Sequence, residues 1–342
     1  MRRRSIASGS NDRRALLDSV AALQAYVTEM KHVSARKKSL FSRMPARHQR
    51  IASSSGYLNR INDVDKMVTV NGLLAAQIAK VAERVYGVTR QELVLSRPIR
   101  NTRVIELLKH FVRDWSAEGL VERSVTISPI LEALKTEFGS DTNGKSVLVP
   151  GAGVSRLAYD ICSLGFQTMA NEYSHLMHLG SLFVLEQKKD SYVVHPSIHN
   201  FSHQSTKKLQ LRGVKFPDIS PEFDRSQLRL VYGDFMKVSG PPESYNAVAT
   251  LFFIDTAENS LAYIDAIHKL LKPGGIWINS GPIKWGSAPR VEFTLEEMLK
   301  AIRLMGFEVE STWSRKAEYV ADSESLWHGF YGIEGWVARK KS

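Results

Sequence analysis

Cysteine is nearly absent. Cys162 is the only one in 342 residues, which excludes an internal disulfide and any cysteine-rich metal site. A reducing compartment fits this usage, so the cytoplasm is the expected location, with the nucleus as a second. No run of about 18 apolar residues occurs, so no membrane-spanning helix is expected and no membrane partner with it. No apolar stretch follows Met1-Arg2-Arg3-Arg4-Ser5, so a secretory leader is not expected, while an Arg-rich transit segment stays open. Acids are scarce at the start. Residues 1–50 hold 12 Lys/Arg against 3 Asp/Glu, a net +9 of the whole chain's +11. A basic end can meet nucleic acid, a membrane surface or an acidic partner. No aromatic residue interleaves the first 15 positions, so base stacking has no platform there and nucleic acid is not the expected partner.

What is present is an ordinary globular balance, 43% hydrophobic and 24% charged, enough to bury a core. Residues 1–13 read as a disordered basic terminus. Apolar residues then recur at helical spacing over 15–38 (Leu16, Val20, Leu23, Val27), 56–86 (Leu74, Ile78, Val81, Val85) and 91–118 (Ile105, Leu108, Phe111, Trp115). Pro129 opens a further helix. Residues 14–138 are therefore expected to form an N-terminal helical domain. After the turn cluster Gly139–Gly144 the pattern changes to alternating short apolar runs and helices. Strands are predicted at 146–149, 167–171, 229–233, 246–254, 275–280, 307–313 and 332–339. Helices are predicted at 155–164, 174–186, 259–271 and 294–304. Such alternation predicts an α/β fold over 139–342, a doubly wound sheet with helices on both faces. The last two strands, joined without a helix, suit an antiparallel pair. The irregular stretch at about 190–225, with Pro196, Pro217 and Pro221, reads as an insertion over one end of the sheet.

The chemistry gathers after the strands. The first leads into Gly151-Ala152-Gly153-Val154-Ser155-Arg156 and then a helix, a turn that lets a ligand approach bare backbone N–H groups. Arg156 stands where the dinucleotide fingerprint needs its third glycine, which counts against NAD. Glu172 ends the second strand, where an acid can accept from both hydroxyls of a ribose. Asp234-Phe235 follows the third; there an acid can accept from an adenine amino group and a flat ring can cover its face. Asp255 closes the apolar run Ala247–Ile254 and faces the crevice where open sheets bind ligands. Its alternative is a helix N-cap, a role that Thr256 or Asn259 can also fill.

These residues resemble the carnosine N-methyltransferase family. The resemblance runs over about residues 20–340. It is carried by Val149-Pro150-Gly151-Ala152-Gly153, Asn171-Glu172-Tyr173-Ser174, Gly233-Asp234-Phe235, Phe252-Phe253-Ile254-Asp255-Thr256-Ala257 and Leu271-Lys272-Pro273-Gly274-Gly275. Phe111-Val112-Arg113-Asp114-Trp115 extends it into the helical half. It implies a class I S-adenosylmethionine-dependent methyltransferase domain, Rossmann-like, behind an N-terminal helical part. The implied reaction is N-methylation of an imidazole ring nitrogen in a histidine-containing small molecule or peptide. By the same resemblance Arg113, with His110 three residues before it, would hold the methionine carboxylate of S-adenosyl-L-methionine. Gly151, Gly153, Glu172 and Leu251 would line the cofactor, and Asp234 with Phe235 would contact adenine. Asp255, Tyr319 and Tyr331 would serve the acceptor. Three positions depart from the family: His110 replaces a Gln, Trp285-Gly286 replace a Tyr-His pair, and Gly329 replaces an aromatic.

Two other readings stand beside this one. A methyltransferase of the same fold for another small molecule follows from the loss of the family His at Gly286. A non-catalytic basic binding module follows from the charge of the first 50 residues, and Asp255 argues against it. A homodimer is an open expectation. His195, His199 and His203 recur at fourfold spacing, but Pro196 interrupts them, so no metal site is expected.

Overall fold

The computed structural model describes residues 10–286, 288–318 and 324–341. Among these, seven helices come first: α1 (Ser10–Ser42), α2 (Ala46–Ser54), α3 (Tyr57–Tyr86), α4 (Arg90–Val94), α5 (Thr102–Trp115), α6 (Leu120–Thr126) and α7 (Ser128–Phe138). The apolar spacing explains the packing. Leu16, Val20, Leu23 and Tyr26 fall on one face of α1 and are buried where α1 meets α3, whose Ile61, Val64, Val68 and Ile78 are buried in turn. Each such side chain contributes about 1.5–3 kcal/mol on burial. Helix α3 stops at Gly87, whose φ of 63° suits only glycine comfortably. A capping box of Thr89 and Glu92 then starts α4. Glu92 also receives the Arg13 guanidinium at 2.7 Å. The expectation of disorder through residue 13 is thus corrected for residues 10–13, which are helical and anchored; residues 1–9 lie outside the described residues.

The chain divides into two compact units. One comprises Met1–Glu118, Leu179–Ser220 and Asp322–His328; the other comprises Gly119–His178, Pro221–Ala321 and Gly329–Ser342. These differ from the expected 14–138 and 139–342 in two respects. Helices α6 and α7 fall with the sheet unit, where the Arg339 fork holds Glu137 of α7 at 2.8 and 2.7 Å. The segment expected as an insertion over the sheet falls largely with the helices. There Asn71 of α3, fully buried, accepts the His195 N–H at 2.8 Å and donates to the His195 carbonyl at 3.0 Å.

Among the described residues nine strands follow: β1 (Ser146–Pro150), β2 (Gln167–Glu172), β3 (Tyr192–Val194), β4 (Val214–Phe216), β5 (Leu228–Tyr232), β6 (Tyr245–Leu251), β7 (Leu271–Gly281), β8 (Phe307–Glu318) and β9 (Phe330–Lys340). The seven-stranded sheet has the order β5-β2-β1-β6-β7-β9-β8. Its first five strands run parallel, and β9 pairs antiparallel with both β7 and β8. This is the expected class I methyltransferase sheet with its antiparallel terminal pair. The order reverses at β1 and β6, whose carboxyl ends open the crevice that binds ligands in such sheets. Leu148, Val248, Trp277, Phe307 and Trp336 form the core on one side of it. The small antiparallel β3–β4 pair, three residues per strand, escapes the sequence pattern because alternation needs a longer window.

Candidate active site

The turn after β1 is built from left-handed backbone. Gly151, Gly153 and Ser155 have φ of 63°, 55° and 64°. For Ser155, buried at the head of the helix Arg156–Ser163, that conformation costs about 1–2 kcal/mol, strain of the kind concentrated at functional turns. The two glycines differ. A Cβ on Gly151 would lie 2.4 Å from the Phe253 ring, so the turn rests on that side chain. A Cβ on Gly153 would meet nothing within 4 Å, so its backbone faces open space.

Glu172 ends β2 as expected and clasps this turn. One carboxylate oxygen accepts the Gly153 N–H and the other the Ser174 N–H, both at 2.7 Å. The Tyr173 N–H also favours the charged carboxylate, whose roughly four lone-pair sites exceed these three backbone donors. Burial pushes this carboxyl above its usual range, and the backbone donors oppose the shift. Beside it Asn171 donates to the Gly233 carbonyl at 2.8 Å, and the Gly233 N–H returns to the Glu172 carbonyl at 3.0 Å. The tips of β2 and β5 are thereby locked together.

Asp234 begins the short helix Phe235–Val238 and accepts the Met236 N–H at 3.0 Å. It is therefore a cap, with part of the carboxylate still exposed. Phe235 requires a correction. Its ring, expected to cover a ligand, is 4% exposed and packs edge-on against Phe253 and Tyr263 at 5.5 and 5.2 Å. Phe253 stacks on Tyr263 at 5.1 Å. This cluster draws Phe235 inward and supports Gly151. Phe253 was not singled out by sequence, because inside an apolar run it reads as one more strand residue.

Strand β6 ends at Leu251, half-buried, and not at residue 254 as expected. Phe252 takes a φ of 52° and its N–H pairs with the Ser280 carbonyl at 3.0 Å. Gly281 makes this possible, since a Cβ there would lie 3.0 Å from the Phe252 nitrogen. Asp255 consequently sits in the 3-10 turn Ile254–Thr256 just past the strand, 6% exposed. One carboxylate oxygen accepts the Lys284 N–H at 3.2 Å, and its carbonyl accepts the Gly286 N–H at 3.1 Å. Burial pushes its carboxyl up to about 6 against the Lys284 N–H, its own N–H and the Lys284 charge. Asn259 caps the helix Ser260–Leu270, so Asp255 is not needed there. The Lys284 ammonium donates to the Tyr331 hydroxyl at 3.2 Å. Asp255, Lys284 and Tyr331 thus form one cluster. Lys284 was missed because a lysine in a loop carries no pattern. Tyr319 lies outside the described residues.

In the helical unit, Arg113 near the end of α5 gives Asp114 a two-pronged ion pair at 2.7 and 2.9 Å. His110 Nδ1 lies 3.6 Å from the same carboxylate, too far for a hydrogen bond. Burial, then the Arg113 charge, holds His110 below its ordinary range and so neutral. Burial alone would raise Asp114, but the Arg113 charge and its two hydrogen bonds overcome it and hold the carboxyl well below the usual range. The spaced histidines are separately engaged: His195 Nδ1 contacts the Leu211 carbonyl at 2.9 Å, and His199 Nε2 the Tyr26 hydroxyl at 2.6 Å.

Comparison with known proteins adds to this geometry. A family model described as carnosine N-methyltransferase matches residues 90–342. The carnosine N-methyltransferase of Schizosaccharomyces pombe is 34% identical over 337 residues, 90% of each chain. That of Rattus norvegicus is 36% identical over 246 residues, 68% of this chain and 62% of its own. Among solved structures, magnesium protoporphyrin IX methyltransferase from Synechocystis, with bound SAH, aligns at TM-score 0.45 and 13% identity. It covers 70% of this chain and 95% of that one.

Proposed function

The chain belongs to the carnosine N-methyltransferase family, and we propose that it methylates an imidazole ring nitrogen in a histidine-containing small molecule or peptide. It is an S-adenosylmethionine-dependent methyltransferase. The residues fit such a donor. Glu172 keeps lone pairs for ribose hydroxyls, the backbone at Gly153 faces open space, and the Asp234 carboxylate is still part exposed at the tip of β5. When bound, the donor supplies a methyl group on a sulfonium, a good leaving group, so the acceptor needs a free lone pair more than a strong base.

The observation that carries the proposal is Asp255, a buried carboxylate just beyond the carboxyl end of β6 with one oxygen engaged by backbone. Its free lone pairs accept the N–H of the far ring nitrogen of a neutral imidazole. That hydrogen bond fixes the tautomer and leaves the near nitrogen's lone pair exposed. Tyr331 and the Lys284 ammonium present donors beside it, suited to an acceptor that carries a carboxylate. Alignment and exclusion of water supply the rate. Asp255→Ala is expected to lose turnover and keep calorimetric binding of S-adenosylhomocysteine; turnover that survives removes Asp255 from this role.

A second reading is favoured by Trp285 and Gly286. The Trp285 indole N–H turns to the Phe293 carbonyl at 2.9 Å, and Gly286 has no side chain to serve an acceptor. The acceptor is then a different small molecule. A screen of imidazole and non-imidazole amines separates the two readings.

A further inference from the structure

The positive charge of the N-terminal half is concentrated at one corner of the helical unit. Residues 31–60, which end α1, form α2 and begin α3, hold eight Lys/Arg and no Asp/Glu. The first two acids on α3 are already engaged: Asp65 holds Lys38 at 3.1 Å, and Asp63 holds Lys66 and Lys207 at 2.7 and 2.6 Å. Arg36, Arg43, Arg47 and Arg50 are exposed, and none has an ion pair among the described residues. Repulsion among so many cations is offset only by counterions or by a partner.

The same corner is apolar. No residue of α2 is buried, and a nine-residue helix is marginal in water without tertiary packing. Leu40, Met44 and Ile51 are 53%, 37% and 55% exposed. A groove of about 360 Å³ opens here, lined by Lys37, Leu40, Phe41, Met44, Ala52 and Tyr57. The nearby aromatic rings are not bare. Lys37 and Arg60 lie over the Phe201 ring at 4.2 and 5.0 Å, and Arg60 also lies over Tyr57 at 5.6 Å. A cation thus already lies over each of these rings, which leaves bases less to stack on. The apolar side chains line a concavity, which suits an inserted side chain better than a flat lipid surface.

We infer that the corner formed by α1, α2 and α3 docks an acidic peptide segment of a partner protein, with one apolar side chain seated in the groove and carboxylates on the surrounding arginines. Charge complementarity selects the acid and the groove selects the anchor. The site is independent of the cluster around Asp255. The test is fluorescence anisotropy of the full chain with a labelled Glu-rich peptide bearing two leucines one helical turn apart. A uridine-rich RNA oligonucleotide, phosphatidylserine vesicles and the same peptide with Leu→Ser serve as competitors. The peptide is expected to bind with a Kd on the order of micromolar, weakening with salt. Met44→Glu and Arg47→Glu are each expected to raise that Kd at least tenfold. Both positions are exposed, so circular dichroism and methyltransferase rate are expected to stay at wild-type values. Equal binding by the Leu→Ser peptide, displacement by RNA or vesicles in its place, or full binding by both variants would overturn the proposal.

Discussion

Asp255 and Asp114 are both buried carboxylates, and their surroundings push them in opposite directions. Asp114 lies against Arg113, which holds its charged form. Its folded value is depressed, so it stabilises the fold above the ordinary carboxylate range, and that stabilisation is lost as pH falls through the depressed value. Asp255 has only backbone donors and one lysine, and its value rises to about 6. A raised value means that ionised Asp255 costs stability at neutral pH, by up to about 3 kcal/mol at 1.36 kcal/mol per unit. Asp255→Asn is therefore expected to raise the melting temperature at neutral pH while abolishing turnover, with the gain vanishing below about pH 4. Asp114→Asn is expected to lower it, with a stability loss on the order of 3 kcal/mol, since the buried guanidinium loses its charged partner. Thermal unfolding of the two variants across pH checks both signs. The same raised value predicts that kcat/KM falls as pH drops through about 6. The imidazole acceptor titrates nearby, so the limb is assigned to Asp255 only if it differs from the acceptor's own titration. Lys284→Met is expected to raise KM for a carboxylate-bearing acceptor about tenfold and leave one without a carboxylate unaffected.

The glycine turn shows what an element adds to its residues. Gly151→Ala would force a Cβ into Phe253 and is expected to cost on the order of 2–4 kcal/mol of stability. Gly153→Ala meets only open space, so its stability cost is expected to stay near 1 kcal/mol while affinity for S-adenosylhomocysteine falls more. Chemical denaturation and calorimetry of the pair separate a supporting glycine from a ligand-facing one. The turn, the seven sheet strands and the acids after β2 and β5 were legible because each rests on local signals: apolar runs, glycines, a carboxylate at a strand end. The end of β6 was not. It depends on Phe252 entering left-handed space against Gly281, which lies at the far end of the next strand beyond an intervening helix. The inward turn of Phe235 was illegible for the same reason, since Tyr263 that holds it comes from a separate helix.

For the molecule as a whole, sequence periodicity separated a helical half from an α/β half. It could not show that α6 and α7 join the sheet unit, because their periodicity is that of any helix. Arg339 at the far end of the chain, reaching Glu137, and the buried Ile130 and Leu134 tie α7 to that unit. Charge was legible as a total but not as a place; the folding of residues 31–60 into one corner makes it a surface. The central claim is methyl transfer to an imidazole nitrogen, and it is tested most directly by nuclear magnetic resonance with methyl-labelled S-adenosylmethionine and carnosine. The expected result is one new labelled N-methyl signal on the imidazole ring, absent with Asp255→Ala although that variant still binds S-adenosylhomocysteine. Binding of S-adenosylhomocysteine by the wild type without labelling of carnosine, histidine or histidine-containing peptides would contradict it.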